Sequence, residues 1–216
     1  GHKTVLDLGC LDGWQLLNLA ASGVTGVGVD LCREALQVGY ERAKKWGFNL
    51  FFVESSIEEF SAENNYPGNS ILGMDEDTHP SFADCGMGKF DAVILSEVLE
   101  HVLDPIVCFK TAVRHLKPGG IVYVSVPATP VPHHGKLEDA REHLRVYAEA
   151  DLITAAKAAG LAVVVDHETI PERDAETGEA FANRTISFRR ATISVFCNHV
   201  TGGWDPAATN DLGASE

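Results

Sequence analysis

Three shortages narrow the reading of this chain before any motif is found. Long apolar runs are missing: nothing approaches the roughly 20 consecutive apolar residues that a membrane span needs, and no signal peptide is expected. Cysteine is scarce. The five present (Cys10, Cys32, Cys85, Cys108, Cys197) are odd in number and form no CxxC pair. That usage gives no disulfide framework and no zinc knuckle, and the expected compartment is the reducing cytoplasm. Positive charge is also short, with 17 basic against 31 acidic side chains and a formal charge of −14. A surface of that sign repels phosphate backbones unless its cations are gathered in one groove. Only Arg189-Arg190 and Lys44-Lys45 cluster at all, so a long nucleic acid is a disfavoured partner.

What remains is an ordinary globular composition, 45% hydrophobic and 22% charged over 216 residues, enough for one sizeable domain. Residues 1–200 are expected to form that domain. Residues 201–216, rich in Gly, Ala, Asp and Thr, read as a tail or linker. The opening Gly1-His2 suggests a domain excised from a longer parent chain, whose other domains would be partners.

Apolar β-rich runs alternate with helical patterns, the signature of parallel βαβ units. Strands are expected at 5–8, 24–29, 50–53, 92–95, 121–126, 161–165 and 192–196. Helices are expected between them, among them 33–46 with Gly47 as its stop, and one carrying Ile106, Phe109, Val113 and Leu116 on a single stripe. Residues 61–89 and 168–188 do not fit the alternation and read as insertions on the substrate side.

The most informative stretch is Val5-Leu6-Asp7-Leu8-Gly9-Cys10-Leu11-Asp12-Gly13, a strand that enters a glycine-spaced turn and then a helix. Glycine serves where backbone must turn sharply and approach a ligand, and the helix that follows aims its free N–H groups at the same place. The pyrophosphate fingerprint GxGxxG is absent, which argues against a nicotinamide oxidoreductase. Asp30 ends the second strand about 20 residues after the first glycine, where such folds hold a ribose by its hydroxyls. Its plainer role would be a helix N-cap.

VLDLGCLDG, VGVD, FVESS, FDAVILSEVLEHV and LKPGGIVYVSVP, in this order, resemble the successive motifs of class I S-adenosylmethionine (SAM)-dependent methyltransferases. The resemblance is strongest to the branch of ubiquinone-biosynthesis O-methyltransferases and small-molecule and sugar methyltransferases. It implies a doubly wound α/β fold: a seven-stranded sheet, mostly parallel with an antiparallel last strand, and helices on both faces. It also implies SAM as cofactor, S-adenosylhomocysteine as product, and a small-molecule or sugar acceptor methylated on a hydroxyl. Position by position, Asp7, Gly9, Cys10 and Gly13 would surround the methionine part of SAM. Asp30 would hold the ribose with Leu31 against the adenine, Ser55, Ser56 and Ile57 would border the adenine, and Ser96 with Glu97 would close the pocket floor. Leu11 departs from the pattern, standing where the family often has glycine, and Glu54-Ser55 replaces the more usual Asp-Ala.

For a hydroxyl acceptor the protein must orient the group and remove its proton. His101, His133 and His143 are the base candidates, because an unperturbed imidazole titrates near working pH. His133-His134 follow a proline-rich loop, and Arg145 and Tyr147 are expected on the same side by resemblance. Glu97, Glu100 and His101 stand at i, i+3 and i+4, on one face of an expected helix. With His143 they offer a possible divalent-metal set like that of RNA 3′-end 2′-O-methyltransferases, an alternative function. In many family members the same string holds no metal. A non-catalytic SAM-binding module is the remaining alternative.

Overall fold

The computed structural model describes residues 3–62, 70–72, 87–127, 143–145, 147–165 and 192–199. The elements follow in the order β1 (Thr4–Leu8), α1 (Trp14–Ala20), β2 (Thr25–Asp30), α2 (Arg33–Trp46), β3 (Leu50–Glu54), β4 (Ser70–Ile71), β5 (Phe90–Ser96), α3 (Pro105–His115), β6 (Leu116–Pro127), α4 (Glu149–Ala158), β7 (Leu161–Val165) and β8 (Thr192–His199). They build a sheet ordered β4-β3-β2-β1-β5-β6-β8-β7. Its centre, β3-β2-β1-β5-β6, is five parallel strands, and the winding reverses between β1 and β5. In doubly wound sheets ligands bind beyond the strand ends at that switch point. β4 pairs antiparallel with β3, and β8 pairs antiparallel with both β6 and β7.

Side chains alternate across a strand, so a strand covered on both faces is apolar at nearly every position. Every residue of β1 is buried. Val5 packs with Leu16, Leu17, Leu36 and Phe52 in the core under α1 and α2. Leu6 and Leu8 pack with Phe90, Val93, Phe109 and Leu152 in the core under α3 and α4. Gly47 closes α2 in a left-handed conformation, and Asp104 caps α3 by accepting the Ile106 N–H at 2.9 Å ahead of Pro105. The α3 to β6 join differs from the expected clean strand start. Leu116 already pairs with Phe90, and the ladder resumes only at Ala92 opposite Ile121, so Lys117–Gly120 loop out of the register.

Two polar groups fasten the layers. His115 is fully buried. Its Nδ1 lies 2.9 Å from the Thr111 carbonyl, and its Nε2 accepts the Ala62 N–H at 3.0 Å, which pins the segment after β3 to α3. At the N-terminal end of the sheet, Asp91 accepts from the Thr4 N–H and Lys117 Nζ, both at 2.9 Å. Burial alone would raise its carboxyl, but those bonds outweigh it and hold Asp91 well below the usual carboxylate range.

Between Ala62 and Met87, Ser70–Leu72 are described. They extend the β3 edge, with the Leu72 N–H on the Phe52 carbonyl at 2.9 Å. The remainder of that stretch, residues 168–188 and the 201–216 tail lie outside the described residues. Among the described residues no helix is long and apolar enough to cross a membrane.

Candidate active site

The turn after β1 is built from backbone. Gly9 and Cys10 N–H groups both reach the Val29 carbonyl, at 2.7 and 3.1 Å, and the Gly13 N–H closes onto the Cys10 carbonyl at 2.8 Å. Gly9 (φ 79°) and Gly13 (φ 68°) are left-handed, and a Cβ on either would stand 2.4 Å from Val98 or Phe52. Both positions therefore need glycine. Arg42 of α2 holds Asp12 at 2.5 Å and steadies the loop from outside.

Asp30 lies at the end of β2, facing that turn. Its Oδ2 accepts the Leu11 N–H and its Oδ1 the Cys32 N–H, each at 2.8 Å. The N-cap of α2 is Cys32, not Asp30, so the plainer reading of this acid does not apply. Asp7 is 3% exposed. Burial, with the Asp30 charge adding to it, pushes its carboxyl up to about 7. Burial likewise pushes the Cys10 thiol far up, reinforced by Asp7 and Asp30, so this cysteine is an inert neutral filler.

Ser55, Ser56 and Ile57 follow β3 on the same side. The Ser55 N–H reaches the Asp30 carbonyl at 3.1 Å, Ser56 Oγ accepts the Glu59 N–H at 3.2 Å, and Ile57 packs against the core. Glu54 is taken by Arg33 at 2.5 Å, and Leu31 is 71% exposed at the rim.

Across the switch point the site is made of side chains. Ser96 Oγ and Ser125 Oγ are 2.8 Å apart, and Ser125 Oγ also donates to Glu97 Oε1 at 3.3 Å. The expected helical face shared by Glu97, Glu100 and His101 does not form. Glu97 is left-handed (φ 55°), and only a single 3₁₀ turn, Leu99–His101, follows it. One left-handed residue at the strand exit breaks the helical phase that the spacing had suggested.

Glu100, His101 and His143 nevertheless converge, each offering a ligand atom within 4.8 Å of the others. Glu100 Oε1 lies 3.9 Å from His101 Nε2, and the two imidazole rings meet edge to face at 4.9 Å. A short strap brings His143 there. The Leu144 N–H bonds the Glu100 carbonyl at 2.8 Å, Arg145 the Leu103 carbonyl at 2.6 Å, and Tyr147 Oη the Leu99 carbonyl at 2.9 Å. Desolvation raises the Tyr147 phenol, which keeps it a donor. Its ring and Arg145 border a groove of about 530 Å³ between α3 and α4. His133 and His134 lie outside the described residues. The strap's bonds were missed in the sequence, where their acceptors are plain carbonyls.

A glycine turn facing an acid at the C-terminal edge of a doubly wound sheet defines a fold for nucleoside-bearing cofactors. The chain belongs to the methyltransferase-domain family, whose model matches residues 1–165. It is 32% identical over 123 residues to the ubiquinone biosynthesis O-methyltransferase of Vibrio parahaemolyticus, covering 57% of this chain and 43% of that protein. The corresponding enzyme of Klebsiella pneumoniae is also 32% identical, over 42% of its length. The chain thus spans less than half the length of these relatives. Among solved structures, the YcgJ protein of Bacillus subtilis superposes with a TM-score of 0.65 at 16% identity, covering 93% of both chains. Phosphoethanolamine N-methyltransferase 2 of Haemonchus contortus, solved with SAM, superposes at 0.63 and 17% identity over 93% of this chain and 49% of that one. The fold is that of class I methyltransferase domains.

Proposed function

We propose that this enzyme moves the methyl group of SAM to a hydroxyl of a small-molecule or sugar acceptor. The convergence of Glu100, His101 and His143 beyond β5 carries the reading. In this assignment the turn at Gly9, Cys10 and Gly13, with Asp7, takes the methionine part of the cofactor. Asp30 takes the ribose hydroxyls, Leu31 and Ser55–Ile57 border the adenine, and Ser96 with Glu97 forms the floor. The seven longer strands correspond to the family's sheet, with β8 as its antiparallel member and β4 as an edge addition.

Transfer is an in-line displacement at a sulfonium, so the protein's work is orientation and proton removal. His101, 41% exposed at its side chain, takes the acceptor's proton. The nearly buried Glu100 carboxylate beside it stabilises the imidazolium that results, and His143 borders the same spot.

The same three residues fit a divalent cation: one carboxylate and two imidazoles suit a borderline ion and leave a position open to a ligand. Such an ion would lower the acceptor hydroxyl's pKa. This favours, as a second reading, transfer to the terminal 2′-hydroxyl of an RNA, against which the charge of −14 stands. Labelled SAM offered with phenols, catechols, sugars and a short RNA, with and without chelator, separates the readings. Chelator-resistant transfer to a small hydroxyl, lost in His101→Asn, supports the base. Chelator-sensitive transfer supports the ion, and a SAM binder that methylates nothing supports the non-catalytic module.

A further inference from the structure

The most deeply buried polar side chain among the described residues is His115, 0% exposed, at the end of α3. Its Nδ1 faces the Thr111 carbonyl at 2.9 Å and its Nε2 faces the Ala62 N–H at 3.0 Å. An amide N–H can only donate, so Nε2 bears no proton and Nδ1 carries it toward Thr111. The ring also meets Phe60, with centroids 5.0 Å apart, and Phe60 and Ala62 are themselves fully buried. An apolar side chain would fill this space with no polar atom to satisfy. It would also leave the Ala62 N–H in the core without that acceptor. The imidazole thus serves the segment it holds more than the helix that carries it.

That segment is one turn with two anchors. At its near end the Ser55 N–H bonds the Asp30 carbonyl at 3.1 Å. The Phe60 N–H then closes onto the Ser56 carbonyl at 3.0 Å, and the Glu59 N–H onto Ser56 Oγ at 3.2 Å. At its far end stand Phe60 and Ala62, both against His115. Ser56 and Ile57, half-buried, lie between the anchors.

We propose that His115 is a positioning residue for the cofactor: through Ala62 and Phe60 it sets where Ser56 and Ile57 stand against the adenine. The inference rests on the cofactor assignment above, in which Ser55–Ile57 border that ring. His115 acts through the turn and not by contact with the ligand. A turn held at both ends has its shape before the cofactor arrives, so binding loses less conformational freedom. With the far anchor gone the turn moves about Ser55, and ordering it falls to the cofactor.

The test compares His115→Gln and His115→Asn with wild type, by calorimetric titration with SAM and with S-adenosylhomocysteine and by thermal unfolding. Glutamine reaches the position of Nε2 and can accept the Ala62 N–H. Asparagine reaches only as far as Nδ1, so it keeps a donor for Thr111 and loses Ala62. Both variants give up the Phe60 ring contact and are expected to melt below wild type. The Kd for both ligands should rise about three- to ten-fold in His115→Asn and stay within two-fold of wild type in His115→Gln. Equal affinities in the two variants overturn the proposal, because affinity then does not follow the bond to Ala62. If neither variant folds, amide hydrogen exchange of wild type decides. Bound S-adenosylhomocysteine should slow exchange at Ala62 more than at Thr4, whose N–H is bonded to Asp91 at the other end of the sheet. Equal slowing at both, or none at Ala62, overturns the proposal. Wild type that binds neither ligand overturns the cofactor assignment itself, a result distinguishable from these.

Discussion

The two sides of the switch point are held together by different means. The β1–β3 side is a backbone device: glycine torsions, N–H groups on the Val29 carbonyl and one carboxylate accepting two N–H groups. The β5–β6 side is a side-chain device, in which an acid and two histidines from segments about 40 residues apart are joined by a strap. A backbone device needs no side-chain ordering when the ligand arrives, which suits a cofactor that is the same in every turnover. A side-chain device can be retuned residue by residue, which suits an acceptor that differs between enzymes.

If the sides are separable, a change on one leaves the other's readout alone. The largest effect is expected from His101→Asn, with methyl transfer down by ~10²–10⁴-fold while the calorimetric Kd for SAM stays at the wild-type value. A weakened Kd in that variant would break the division. Asp30→Ala should cost ~1–3 kcal/mol of SAM affinity, with the His101 chemistry still active at saturating cofactor. Asp7→Asn sharpens the picture through pH. The Asp7 carboxyl titrates at about 7 in the fold against an ordinary 3.8. The folded protein therefore holds this proton more tightly, and stability is full below pH 3.8 and is lost as pH rises through about 7. The melting advantage of Asp7→Asn over wild type should accordingly widen from pH 5 to pH 8. A constant gap would mean that burial does not raise the Asp7 carboxyl. The smallest effect belongs to Arg145→Lys, which gives up a planar donor to one carbonyl. It predicts a loss of several-fold in kcat/KM at a cost of about 1 kcal/mol, with no change in SAM Kd.

The same division explains how far the sequence could be read. Contiguous backbone turns demand particular residue types, so Gly9, Gly13 and Asp30 announce the turn after β1, and the βαβ alternation announces the five parallel strands. Leu11 does not announce its torsion, because leucine carries no left-handed preference to read. Glu97 misled for the same reason: one unexpected torsion changed the phase of everything after it. The buried His115, holding Ala62 from 53 positions away, has no local pattern at all. His143 was found only through resemblance, since no periodicity links it to His101.

The strap grips main-chain carbonyls of Leu99, Glu100 and Leu103. Leu103, 84% exposed, is thereby free to be replaced without loosening the fastening. Attachment through the peptide bond is indifferent to residue identity, so side chains can change here while the bonds that bring His143 to His101 are kept.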